Sequence, residues 1–351
     1  MTRIQRLLEV MKNEGVDGFL TCDPTNRRYL TRFPSSAGWV AVSADQSVFF
    51  CDSRYTEAAK AQITDCRVEQ VSGFGDALEK WAEGLERIGV ESERLTLSEY
   101  EMLCEKIGKE RLVSLKDPVA RLRAVKDEEE LSALTEAAAI ADDAWTAFLG
   151  AVRVGRSEKE LAWKLEQLLR ERGAEKLSFD TIMASGVNGA CPHAVPSDRL
   201  LQKGDLLTVD FGCVKNGYCS DMTRTVAVGE VSEEQRFWYE SVLKAQEGAL
   251  AAVHAGASCR EIDRLSRELL KPSGLDGYFG HALGHGVGLE IHEQPTLSPR
   301  SDTLLEAGMV VTIEPGVYLP EKGGLRIEDT VVVTPDGCRR LTQSSKVLTI
   351  L

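Results

Sequence analysis

Short apolar runs alternate with amphipathic stretches over the first third of the chain. Gly18-Phe-Leu-Thr-Cys22, Trp39-Val-Ala-Val42 and Ser47-Val-Phe-Phe50 are rich in aromatic and β-branched residues and predict strands. Residues 2–14, 54–62 and 76–88 predict helices; in the first, Ile4, Leu7, Leu8 and Met11 share one face. From Lys126 the texture changes. Asp127-Glu-Glu-Glu-Leu131 opens a long Ala-rich helix with acids in its first turn, where the helix dipole favours them. A boundary near Asp117-Pro118 is expected, giving a mixed α/β domain over 1–122 and a second domain over 123–351.

The second domain repeats itself. Leu201-QKGDLLTVDF-Gly212 aligns without gaps on Leu305-EAGMVVTIEP-Gly316, 104 residues later; Leu, Gly, Thr and Gly are identical, and Asp210 falls on Glu314. Gly189-ACPHAV-Pro196 and Gly288-LEIHEQ-Pro295 share G-x-x-x-H-x-x-P, with His193 on His292. Ser220-DMTRTVA-Val228 resembles Ile327-EDTVV-Val333, with Asp221 on Glu328. Ser157 followed by Glu160, and Ser258 followed by Glu261, each predict a capping box at a helix start. Matches in the same order at nearly the same offset imply two related halves, each a helix, a capped helix and then strands.

Related halves packed about a pseudo-twofold axis would bring Asp210, Asp221, Glu314 and Glu328 together. Like charges at close range drive one another to take up protons unless cations intervene. Two divalent cations would offset four carboxylates, and His285 in Leu283-Gly-His-Gly286 offers a neutral nitrogen beside them. This donor set favours manganese, with cobalt, iron or zinc as alternatives; a structural zinc more often takes cysteines. Two ions about 3.5–4 Å apart can polarise a carbonyl and activate water. Blander roles compete. Asp210 and Asp221 could flank a hairpin turning at Asn216-Gly217, and Glu328 could pair with Arg326.

Composition narrows the field. A net charge of −13 argues against nucleic acid and anionic membranes as partners. The N-terminal stretch carries charges throughout, so no signal peptide is read, and no run of about 18 apolar residues predicts a membrane span. The nine cysteines are odd in number and scattered, without a CxxC pair; reduced thiols and a cytoplasmic location are expected. Four of the five histidines, His193, His281, His285 and His292, sit in the motif-bearing segments. His281 and His285 have helical zinc-site spacing, but the surrounding glycines argue against a helix. No Walker A motif and no G-x-S-x-G elbow occurs.

VDFG (209–212), SDMTRT (220–225), GHGVGLEIHEQP (284–295), TIEPGVY (312–318) and RIEDT (326–330) resemble the pita-bread metallopeptidases, which include methionine aminopeptidase, aminopeptidase P and prolidase. The resemblance spans roughly 123–351. NRRYLTRF (26–33) and CDSRYTEAA (51–59) resemble the creatinase-type N-terminal domain of aminopeptidase P and prolidase, which methionine aminopeptidases lack. The resemblance implies a creatinase-like domain followed by a pseudo-twofold pita-bread domain. It implies Asp210, Asp221, His285, Glu314 and Glu328 as metal ligands, with Asp221 and Glu328 bridging. Glu314 would also serve as general base. His193 and His292 would contact the substrate carbonyl, His281 would line the proline-side pocket, and Arg326 would orient a ligand carboxylate. Peptides with proline at the second position are the implied substrates, and a homodimer the implied assembly. Some prolidases carry arginine directly after the His-Glu-x-Pro run; here Thr296 stands there, which favours an aminopeptidase acting on longer peptides over a dipeptidase. Five retained ligands argue against the other-class alternative, a non-catalytic peptide-binding module.

Overall fold

The predicted first helix forms as Arg3–Glu14 (α1), closed by a reciprocal capping box between Thr2 and Gln5. The computed structural model describes all 351 residues, in two units, Met1–Arg123 and Ala124–Leu351. In the first unit the apolar runs form β1 (Gly18–Thr21), β2 (Trp39–Ser43) and β3 (Ser47–Cys51). The elements α2 (Pro24–Thr31), α3 (Thr56–Gln62), β4 (Arg67–Gln70), α4 (Phe74–Trp81), β5 (Ile88–Glu91), α5 (Leu97–Ile107), β6 (Leu112–Leu115) and α6 (Pro118–Ala124) complete it. The sheet is mixed, in the order β4-β3-β2-β1-β5-β6, with β1–β2–β3 antiparallel and the outer pairings parallel.

The helix expected over 76–88 is half right. It ends at Trp81, and Ile88–Glu91 is a buried strand lying parallel to Gly18–Leu20. Between them the Arg111 guanidinium takes the carbonyls of Ala82 and Leu85, a long-range cap that local spacing does not reveal.

The second unit shows the duplication as a repeated element order. Its first half runs α7 (Glu128–Phe148), α8 (Glu158–Glu171), β7 (Lys176–Leu177), β8 (Ile182–Ser185), β9 (Leu206–Phe211), β10 (Cys213–Lys215), β11 (Tyr218–Cys219) and β12 (Met222–Ala227). The second runs α9 (Glu233–Ala251), α10 (Cys259–Leu270), β13 (Gly284–Gly286), β14 (Glu293–Leu297), β15 (Val310–Ile313), β16 (Gly316–Leu319), β17 (Gly323–Arg326), β18 (Asp329–Thr334) and β19 (Gly337–Arg340). Asp127 and Glu130 cap α7 reciprocally, as do Ser157 and Glu160 at α8. At α10 only half the box forms: Ser258 accepts from Glu261 N, but the Glu261 carboxylate turns outward to Arg264.

Gly204 and Gly308, matched in the repeat, enter their strands with φ of +90° and +91°, a conformation that favours glycine. Each half buries its helices on its strands. Phe148, Leu161 and Leu165 pack with Val209 and Phe211; Val242, Ala249 and Ile262 pack with Val311, Ile313 and Val331. Truncating one of these phenylalanines would cost about 3–5 kcal/mol.

The halves differ in register. Thr208 pairs with Thr225 in the first hairpin, whereas Thr312 pairs with Thr330 rather than with Val332, the residue the sequence alignment selects. A shift of two keeps every side chain on its face. The halves meet along β12 and β18. Glu328 N donates to Thr223 O at 3.2 Å, Thr330 Oγ1 to Asp221 O at 2.8 Å and Thr225 Oγ1 to Arg326 O at 2.9 Å.

Candidate metal centre

The five expected ligands come from the ends of these strands. Asp210 is on β9, Asp221 leads into β12, His285 is the middle of β13, Glu314 follows β15 and Glu328 precedes β18. Ligand atoms of Asp221, His285 and Glu328 all lie within 4.8 Å of one another. His285 Nε2 lies 3.5 Å from Asp221 Oδ2 and 3.3 Å from Glu314 Oε1, which brings Glu314 into the cluster. Asp210 joins through Arg326, whose Nη2 donates to Asp210 Oδ2 at 2.6 Å and whose Nε stands 4.0 Å from Glu314 Oε2. The alternative pairing of Arg326 with Glu328 does not form; Glu328 Oε2 instead accepts from Thr223 Oγ1 at 2.7 Å.

Two buried oxygens, Asp210 Oδ1 and Glu328 Oε1, have no hydrogen-bond partner. Buried polar atoms are rarely left so, and each calls for an explanation such as an ion. The electrostatics agree. Burial, then the charges of Glu328, Asp210 and Glu314, push the Asp221 carboxyl well above the usual carboxylate range. Burial and the neighbouring Glu314 and Asp210 do the same to Glu328. Burial raises Asp210 too, against the opposing pull of Arg326. At Glu314 the balance reverses. Burial pushes it up, but the hydrogen bond and charge of His285, with His281 and Arg326, hold it below the usual range. A set of carboxylate oxygens with one imidazole, short of partners and mutually repelling, suits a divalent cation. The residues therefore fit a metal.

The other predicted residues surround this cluster. The His292 ring stands edge-on to His285, centroids 4.3 Å apart. His193 is exposed in the loop after a 3-10 turn over Gly186–Ala190. His281 Nε2 bonds the Tyr318 hydroxyl at 2.9 Å, and Arg326 Nη1 donates to the same hydroxyl at 2.6 Å. Arg326 is thus fixed by Asp210, Tyr318 and, through Nε, Thr223 at 3.0 Å. The glycine-rich stretch around His281 and His285 is loop and strand, so the helical zinc-pair geometry is absent.

Sequence reasoning missed three positioning groups. Tyr318 ties His281 to Arg326. Thr312 donates to Glu314 Oε1 at 3.2 Å and accepts from His285 N at 3.1 Å. Thr223 serves Glu328 and Arg326 together. The repeat did mark Thr312, which matches Thr208, but gave no hint of its partners.

The sequence model of Metallopeptidase family M24 matches residues 132–335, and that of the Creatinase/Prolidase N-terminal domain matches 3–125. The chain is 39% identical over 347 residues to an Xaa-Pro dipeptidase of Pyrococcus furiosus, covering 99% of each. It superposes on the structure of an Xaa-Pro dipeptidase from Bacillus anthracis with a TM-score of 0.97, at 42% identity and 99% coverage of both chains. An X-Pro aminopeptidase from Thermotoga maritima superposes with a TM-score of 0.92 at 37% identity, over 99% of this chain and all of that one.

Proposed function

Because this chain belongs to metallopeptidase family M24, and is a metallopeptidase, we propose that it hydrolyses the peptide bond of Xaa-Pro dipeptides. The observation that carries the reading is the buried Asp221–His285–Glu328 cluster with an unpartnered Glu328 oxygen, in a chain this similar to Xaa-Pro dipeptidases. Asp210, Asp221, His285, Glu314 and Glu328 would hold two divalent ions, manganese being favoured by the oxygen-rich donor set. When bound, such ions supply Lewis acidity toward the scissile carbonyl and activation of water.

The chain's own groups supply the rest. Glu314, whose Oε2 stands 4.0 Å from Arg326 Nε, is the proton acceptor for the attacking water. Burial depresses His292, so its imidazole is neutral at pH 7 and offers one N–H to the oxygen on which negative charge develops. His193 offers a second donor from its exposed loop. His281, anchored on Tyr318, borders the space for the proline ring. Arg326 holds Asp210 in orientation.

A second reading, an aminopeptidase acting on longer peptides, is favoured by Thr296 at the position where some prolidases carry arginine. The relatives named Xaa-Pro dipeptidase weigh toward the dipeptide. Assay of the manganese-loaded protein on Gly-Pro and on an Xaa-Pro-Pro tripeptide decides between them. Cleavage confined to the tripeptide would overturn the dipeptidase reading, and cleavage of neither would sink the Xaa-Pro assignment. We also carry a homodimer and a cytoplasmic location in this reading. Light scattering should give about twice the chain mass of 38.5 kDa, and the nine thiols, none in a disulfide, suit a reducing compartment.

A further inference from the structure

We propose that Glu158, buried in the first turn of α8, is a positioning residue that sets the location of His193. The inference rests on the reading of His193 as a substrate contact. His193 is exposed and makes no hydrogen bond of its own, so the backbone that carries it must fix its place. That backbone is held at both ends by one carboxylate. Glu158 Oε1 accepts from Ser185 N and Ser185 Oγ, both at 2.7 Å, and from Asn188 Nδ2 at 3.1 Å. Oε2 accepts from Asn188 Nδ2 and Ser197 N, both at 3.0 Å, and from Ser197 Oγ at 2.6 Å. Residues 186–196, with His193 among them, run between these anchors.

The loop's other side is equally confined. A Cβ added at Gly189 would meet Gly324 O at 2.9 Å, so the loop lies directly on the backbone of β17. Arg326, at the end of that strand, donates to Pro192 O at 3.3 Å, next to His193. Only on the Glu158 side does one group gather backbone and side-chain donors from both ends of the loop. Two of its donors are backbone N–H groups, and an ionised carboxylate can accept from all of them at once. A carboxamide of the same size would accept at one oxygen and turn its NH2 toward donors at the other. Glu158→Gln should therefore loosen the loop without altering its length or the metal cluster.

The test is a double-mutant cycle with His193→Ala, read in kcat and KM, together with metal content and amide exchange of 186–197. Expected are a fall in kcat/KM of about 10- to 100-fold for Glu158→Gln, faster exchange confined to 186–197 and unchanged metal content. In the His193→Ala background Glu158→Gln should add less than about threefold. Equal effects in the two backgrounds, or unchanged exchange, would overturn the positioning role while leaving the proposed function intact. Wild-type activity in His193→Ala alone would overturn the reading of His193, and this inference with it. Should Glu158→Gln fail to fold, Ser197→Ala, which removes one hydroxyl donor, carries the same cycle with an expected loss of about 3- to 10-fold, and additivity there overturns the proposal.

Discussion

Glu328 and Asp329 are neighbours in the chain, both buried, yet their surroundings are opposite. Asp329 accepts from Arg224 at 2.7 Å, Lys346 at 3.0 Å, Thr342 at 3.0 Å and Gln246 at 3.1 Å. Burial would raise it, but Arg224 and Lys346 hold it below the usual carboxylate range. Glu328 has one hydroxyl donor, one oxygen without a partner, and carboxylates around it that raise it well above that range. One carboxylate is neutralised by the protein's own cations, and its role is structural. The other is left open, and an open buried charge points to a ligand.

The sharpest way to break this contrast is to change each partner in turn. Glu328→Gln should lower kcat/KM by at least about 1000-fold, some 4 kcal/mol in the barrier, while the metal-free protein stays within about 1 kcal/mol of wild type in urea unfolding, because removing a repelled charge costs little. Activity within about tenfold of wild type would erase the distinction. Asp329→Ala should instead cost about 3–5 kcal/mol of stability, since Arg224 and Lys346 would be left buried and uncompensated; a loss under 1 kcal/mol in the same urea measurement would contradict its structural role.

Glu91, in the N-terminal unit, is an intermediate case. Asn26 Nδ2 donates to it at 2.7 Å, and burial pushes its carboxyl up to about 8 from 4.5. A raised acid means that the folded state keeps a proton the unfolded chain releases, so stability falls as pH rises between those two values. Glu91→Gln should lack that slope, the difference growing with pH to about 5 kcal/mol at most. A pH-independent difference would show that Glu91 ionises freely. The smallest effect concerns the ion itself. Manganese at 100 times its Kd should raise the unfolding free energy by about 2.7 kcal/mol for each ion bound, a gain that Glu328→Gln reduces and that a chelator removes. Equal stabilisation of the variant would place the ion elsewhere.

The two halves of the catalytic unit show where reading the sequence succeeds. The Leu-Gly-Thr-Gly repeat reflects strands entered through a left-handed glycine in each half, and such local requirements leave fixed spacings behind. The reciprocal cap at Ser157 was legible for the same reason. The cap at Ser258 was half legible, because the signal is local but Glu261 had a competing arginine three residues on. The two-residue difference in hairpin register left no trace, since an even shift preserves the alternation of faces from which register is read.

By itself, then, the chain determined the early strands, the capped helix start at Ser157, that the second unit is doubled, and which carboxylates and histidines are available. These follow from residue type and short spacing. Only tertiary structure decided which of those groups are left open. Arg326 reaches Asp210 across 116 positions of sequence and leaves Glu328, two residues away, to Thr223. Glu158 ties down a loop that ends 39 positions later. A hydrogen bond between distant residues depends on how two packed elements happen to face each other, and periodicity carries no record of that. The candidate donors belong to the sequence, whereas the open valences of Asp210 and Glu328 belong to the fold.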